Sequence, residues 1–184
     1  MTESEAKRRT RRWLEDAVIG LNFCPFARPV FVQDQVRIAV QEDVGGLEAA
    51  VERAFDEVNH LLDHPDTEVA TTLIVYPEAL ADFGDYLDVV ETLRYALEDS
   101  GLEGVLQVAT FHPDYQFAGT APDDLENYTN RSPYPTIHLI REAQVTDAVE
   151  SHPDPEGIPR RNIERLEEMG RERVEQMWSV WMPE

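Results

Sequence analysis

Apolar residues recur at helical spacing through residues 2–21, where Leu14, Ala17, Val18 and Leu21 share one face, and the pattern predicts a helix. Thr2 and Glu5 have capping-box spacing at its start. Asn22-Phe23-Cys24-Pro25 ends it, because proline disfavours a helical residue before it. Residues 36–41 then read as a short strand, and Gly45-Gly46 as a tight turn into a second helix. That helix carries Leu47, Ala50, Val51, Ala54, Val58, Leu61 and Leu62 on one side. The near-continuous apolar run over residues 69–76 is a strand buried on both faces, stopped by Pro77. Residues 82–99 form a third helix, buried through Phe83, Tyr86, Val90, Leu93 and Leu97 and closed by Gly101. Residues 105–111 and 136–141 are the remaining strands. Beyond Pro153 and Pro155 the tail is helical, with Pro159 in its first turn and Gly170 as an interruption. Val174, Met177, Trp178 and Trp181 make a last apolar stripe that reads as core packing.

This order predicts a single α/β domain over residues 1–184, with one mixed, mainly parallel sheet of about four strands, helices packed on it and extra helices at both ends. Two strand–helix–strand units imply right-handed crossovers. The fourth strand is reached without an intervening helix, so it is expected antiparallel to the third or at an edge. Ligands in open α/β sheets bind beyond the carboxyl ends of the parallel strands, which here are Gln41-Glu42-Asp43, Tyr76 and His112.

Composition narrows the function classes. Apolar residues make up 42% of the 184, enough for a core. No apolar run approaches the ~18–20 residues of a membrane span, and the charged N-terminus leads into no signal-peptide core. A cytoplasmic protein without membrane contact is expected. Cys24 is the single cysteine, so a disulfide framework and a cysteine-rich zinc site are both excluded. The net charge of -21, from 37 acidic against 16 basic residues, repels nucleic acid. Lys7 is the one lysine, and dense carboxylates with scarce lysine suit halophilic adaptation; an acidic surface made for a basic partner is the alternative. The basic run from Lys7 to Arg12 reads as a solvated helix face with Arg11–Glu15 and Arg12–Asp16 pairs.

About two dozen residues separate the third and fourth strands, and loops of that length are usually functional or disordered. Four aromatics argue against disorder. An antiparallel fourth strand would bring His112 and His138 into one neighbourhood with Arg131 nearby. One reading is an enzyme, or a ligand-binding protein, acting on a small anionic metabolite. Cys24 would be a nucleophile or redox thiol, His112 or His138 would take its proton, and Asp114 would orient His112. Arg131 would grip a carboxylate or phosphate, with Tyr115, Gln116, Asn127, Tyr128, Asn130, Ser132 and Arg141 as further contacts. Each has a plain structural alternative: a buried small hydrophobe for Cys24, a core histidine for His138, a loop staple for Arg131. His112, Asp114 and His138, with Cys24, are ligand types that suit zinc or iron, but their spacing is weak evidence and no metal site is assigned. A second reading is a non-catalytic interaction module that presents Tyr115, Phe117, Tyr128 and Tyr134. It needs the aromatics and is indifferent to Cys24 and His112. No cofactor and no oligomeric state can be named from the sequence. His-Pro-Asp occurs at His64, His112 and His152, each read as a turn in which aspartate bonds the following backbone.

The longest motifs are Phe111-His112-Pro113-Asp114-Tyr115-Gln116-Phe117-Ala118-Gly119-Thr120, Asn127-Tyr128-Thr129-Asn130-Arg131-Ser132-Pro133-Tyr134-Pro135 and His138-Leu139-Ile140-Arg141-Glu142. With Trp13, Leu21-Asn22-Phe23-Cys24-Pro25-Phe26-Ala27, His152-Pro153-Asp154 and Ile158-Pro159-Arg160-Arg161-Asn162-Ile163, they span nearly the whole chain. In these blocks the sequence resembles a bacterial family of unknown function, domain of unknown function 1415. The family often has leucine where Phe23 stands. The resemblance implies no activity, substrate or cofactor, and no residue roles carry over.

Overall fold

The computed structural model describes residues 3–41 and 45–183. The cap expected at Thr2 and the strand end expected at Glu42 and Asp43 lie outside the described residues.

Helix α1 (Glu3–Trp13) buries Ala6, Thr10 and Trp13, one helical face, and then widens into π turns over Leu14–Ile19. The extra residue in each π turn rotates the side chains that follow. Leu14, Ala17 and Ile19 are therefore buried, whereas Val18 and Leu21 are only partly so. Gly20 ends the π segment, where a Cβ would lie 2.2 Å from the carbonyl oxygen of Asp16. Helix α2 (Ala27–Val32) follows; it buries no residue fully, so it leaves no apolar stripe to read. The Arg12–Asp16 pair forms at 3.3 Å. Arg11 instead reaches Asp34 at 3.6 Å and lies over the Phe31 ring, because the chain at α2 brings both beside it.

Strands β1 (Val36–Val40), β2 (Thr71–Val75), β3 (Leu106–Phe111) and β4 (Thr136–Arg141) form one sheet in the order β1-β2-β4-β3. The expectation of a mainly parallel sheet is corrected here: only β1 and β2 pair in parallel, and β4 is antiparallel to both β2 and β3. The antiparallel pairing expected of the fourth strand with the third does form, and β4 lies inside the sheet rather than at an edge. Every residue of β2 is buried, so β2 needs a neighbour on each side, and the segment after β3 is long enough to turn β4 back into that gap. Helix α3 (Gly46–Asp63) joins β1 to β2, and α4 (Phe83–Asp99) joins β2 to β3. Asp82 caps α4 by accepting the N–H groups of Gly84 and Asp85. Helices α5 (Glu142–Ser151), α6 (Ile158–Met169) and α7 (Arg171–Ser179) complete the chain. No described helix is long and apolar enough to cross a membrane.

Alternation along the strands divides the interior in two. Ile38, Val40, Leu73 and Val75 face a layer built from α1, its π turns, α6 and α7. Ile74, Leu106, Ile137 and Leu139 face α3 and α4. Val174, Trp178 and Trp181 are buried in the first core, as the apolar stripe predicts. The indole N–H groups of Trp13 and Trp178 both donate to the carbonyl oxygen of Arg131, at 3.1 and 3.2 Å. One loop carbonyl thus ties both ends of the chain to the segment between β3 and β4.

Candidate functional site

Strands β1, β2 and β3 run in one direction, so Gln41, Tyr76 and His112 lie along one edge of the sheet beside the start of β4. The α4 layer holds this edge together. Tyr86 donates its hydroxyl to the Thr136 carbonyl at 2.8 Å and accepts the Phe111 N–H at 3.1 Å. Burial pushes the pKa of this phenol up, as it does for Tyr76, whose hydroxyl donates to the Ala50 carbonyl.

His112 is completely buried, packed on Phe83 and Tyr86. Its Nδ1 accepts the Asp114 N–H at 3.0 Å, so the proton of the neutral ring sits on Nε2, which donates to the Leu80 carbonyl at 3.0 Å. Burial pushes its pKa down, against the pull of the Leu80 carbonyl and of Asp114 and Asp82. Leu80 has φ +60, a left-handed conformation uncommon outside glycine, and the His112 bond holds it. The turn expected here is closed by the histidine ring, and Asp114 itself is exposed.

The loop behind His112 is bonded to itself. Asn127 is fully buried; its Oδ1 accepts the Phe117 N–H at 3.0 Å and the Thr120 hydroxyl at 2.8 Å, and its Nδ2 donates to the Ala121 carbonyl. Asn130 donates to the Thr110 carbonyl, and Ser132, also buried, to the Tyr134 carbonyl. Gln116 is exposed and donates to the Thr120 carbonyl. The Arg131 guanidinium lies over the Tyr128 ring and donates to the Tyr115 and Pro122 carbonyls. Tyr128 and Tyr134 are core residues, whereas Tyr115 and Phe117 are half-buried. Those two rings join Phe83 at the start of α4, with centroids 5.3 Å (Phe83–Tyr115) and 4.9 Å (Tyr115–Phe117) apart. The sequence places Phe83 on a buried helix face, and its proximity to the loop has no local signal.

The other predicted residues lie elsewhere. His138 pairs with Leu73 and Ala109 in the sheet interior, and alternation puts it on the face opposite His112. The expected common neighbourhood of the two histidines does not form, because β4 enters the sheet two residues before His138 and the sheet stands between the rings. His138 Nε2 donates to the Thr71 hydroxyl at 2.5 Å, since that hydroxyl gives its own proton to the Leu139 carbonyl. Burial pushes its pKa down to about 4, although its edge keeps some solvent contact. Arg141 lies at the far end of β4 and donates to the carbonyls of Leu61, His64 and Val69, fastening the end of α3. Cys24 is half-buried between the π turns and α2, and burial pushes its thiol pKa up against nearby backbone donors at Phe26 and Ala27. Its neighbourhood gathers a second set of motif residues: Phe26 packs on His152, Asn162 donates to the Phe23 carbonyl, and Arg161 pairs with Asp154. Among the described residues no three His, Cys, Asp or Glu side chains converge on one point as a closed metal site requires.

No curated protein and no solved structure matches the chain significantly. A family model described as protein of unknown function (DUF1415) matches residues 5–176. That match takes in both motif clusters, the one around His112 and the one around Cys24, and the chain therefore belongs to the DUF1415 family.

Proposed function

We propose that the chain is a non-catalytic binding module whose recognition surface is the patch of Phe83, Tyr115 and Phe117, and that the group it takes is cationic. One observation carries this reading. The polar side chains of the loop are engaged with the loop's own backbone, while its outer rings stay half-exposed. Exposed Asp82, Asp85 and Asp114 stand next to these rings in the chain. A cation over such a ring gains about 0.5–1 kcal/mol at an exposed site, and the carboxylates add to it. The anionic-metabolite enzyme is the weaker proposal. It asks Arg131 and His112 for groups that already bond carbonyls and an amide.

Titrating a short arginine-rich peptide into the isotope-labelled protein, with amide shifts as the readout, tests this. Shifts gathered at Phe83 and at residues 114–117 are the expected result. Shifts centred on Cys24 or His138, or tighter binding of a glutamate-rich peptide, would contradict it.

A further inference from the structure

Strand β3 is an edge of the sheet, yet its sequence, Leu106-Gln107-Val108-Ala109-Thr110-Phe111, holds no charge and no proline. Those are residues with which edge strands block further pairing. The opposite edge, β1, carries Arg37 and buries Ile38, Ala39 and Val40. In β3, Gln107, Val108 and Ala109 all keep contact with solvent.

One bond fixes which backbone groups of β3 face outward. The Glu142 N–H donates to the Val105 carbonyl at 2.9 Å, and antiparallel pairing alternates along the strand. Leu106, Val108 and Thr110 therefore turn their backbone groups away from β4. The ends of this row are closed within the chain: the Leu106 N–H donates to the Leu102 carbonyl at 3.1 Å, and Asn130 donates to the Thr110 carbonyl at 3.0 Å. Arg94 reaches the Val108 carbonyl only at 3.4 Å. The Leu106 carbonyl and the N–H groups of Val108 and Thr110 have no partner among the described residues. An added strand is bound through such a row of alternating acceptors and donors.

The edge leads directly to the ring patch. The Tyr115 hydroxyl lies 3.3 Å from that of Thr110, and Phe83 packs on Tyr115. Helix α4 runs back along β3 from Phe83 to Arg94, and exposed Leu87 and Glu91 stand between them on one helical stripe. Leu87 offers an apolar contact beside the strand edge.

We infer that the cationic partner is an extended peptide that adds a fifth strand along the outer edge of β3, with a basic side chain over Tyr115 and Phe83. The inference rests on the cationic reading of that patch. Charge decides the occupant. A second copy would bring two chains of net charge -21 together, whereas a basic peptide is attracted by exposed Asp82, Asp85, Asp114 and Glu91. Arg94 is the opposing cation, and Glu91 holds it at 2.9 Å. Main-chain bonds supply the affinity, and the rings choose the side chain.

The test uses two probes on the isotope-labelled full chain: a short arginine-rich peptide, and the same peptide N-methylated at every backbone nitrogen. The second keeps the charges but cannot pair as a strand. The unmodified peptide should shift the amides of Phe83 and residues 114–117 and slow hydrogen exchange at Val108 and Thr110 about tenfold or more. The methylated peptide should bind several-fold more weakly and leave that exchange unchanged. Shifts at the rings with equal affinity for both probes, and no protection on β3, would overturn the strand and leave the cationic patch standing. Protection on β3 without shifts at the rings would uphold the strand and remove the patch. Silence at both places would overturn both. Slow exchange at Val108 and Thr110 in the free chain that is lost on dilution would give the edge to a second copy and overturn the inference. Val108→Pro removes one outward N–H at a strand edge, where proline is tolerated. With unfolding checked alongside, it should weaken the unmodified peptide selectively, and undiminished affinity would overturn the strand.

Discussion

A fully buried histidine must stay neutral or find a charge partner, and His112 stays neutral by giving each ring nitrogen a backbone group. His112→Phe keeps the ring's bulk but strands the Leu80 carbonyl and the Asp114 N–H. Two bonds at about 1–1.5 kcal/mol each, with the carbonyl left unsatisfied, predict a loss of about 2–4 kcal/mol in denaturant unfolding. His138 gives a prediction in pH. Its folded pKa lies at about 4, below the ordinary 6.5. The unfolded chain therefore takes up the proton first as pH falls. The stabilisation is complete above pH ~6.5 and is lost between there and pH ~4, by at most about 3 kcal/mol. Unfolding free energies of wild type and His138→Gln, compared from pH 7 to 4, should converge toward the acid end. Parallel curves would refute the assignment. At this scale the sequence is legible in residue type but not in partner. Arg131 can be read in advance either as a loop staple or as an anion fork, and only the positions of the Tyr115 and Pro122 carbonyls decide between them.

The loop between β3 and β4 is an element in its own right, organised by Asn127 and its short 3-10 turn (Leu125–Asn130). Asn127→Ala should release residues 116–122 without unfolding the sheet. Hydrogen exchange should then accelerate at the Phe117 amide while β2 amides stay protected. Strands and long helices were legible because burial on one or both faces imposes a period on them. Helices α2 and α5 were not, since neither buries a residue fully and neither leaves a stripe. The place of β4 was hidden for another reason: alternation assigns faces, not neighbours. That same gap let His112 and His138 be expected together when the sheet separates them.

The whole molecule is a sheet between two helical layers. Its net charge of -21 acts mostly at the surface, but among the described residues one carboxylate is internal. Glu57 is buried at 2% exposure between Arg37 and Arg53. Burial alone would raise its pKa, but the Arg37 hydrogen bonds and both positive charges bring it below the usual value. Its stabilisation is present above the ordinary carboxylate range and is lost as pH falls through the lowered pKa. Glu57→Ala removes the carboxylate that Arg37 and Arg53 share, and because both guanidiniums keep contact with solvent the loss expected by thermal or denaturant unfolding is about 1.5–3 kcal/mol. The sign of the whole field also favours a cationic group at the rings of Phe83, Tyr115 and Phe117. The most direct measurement is the affinity of a labelled arginine-rich peptide for four variants, with unfolding checked in parallel. Tyr115→Ala and Phe117→Ala should each weaken binding about two- to fivefold, a change of about 0.5–1 kcal/mol, while Cys24→Ser and His138→Gln leave it unchanged. Binding that ignores the two rings but fails without Cys24 or His138 would contradict the account and move the working site to the other face of the sheet.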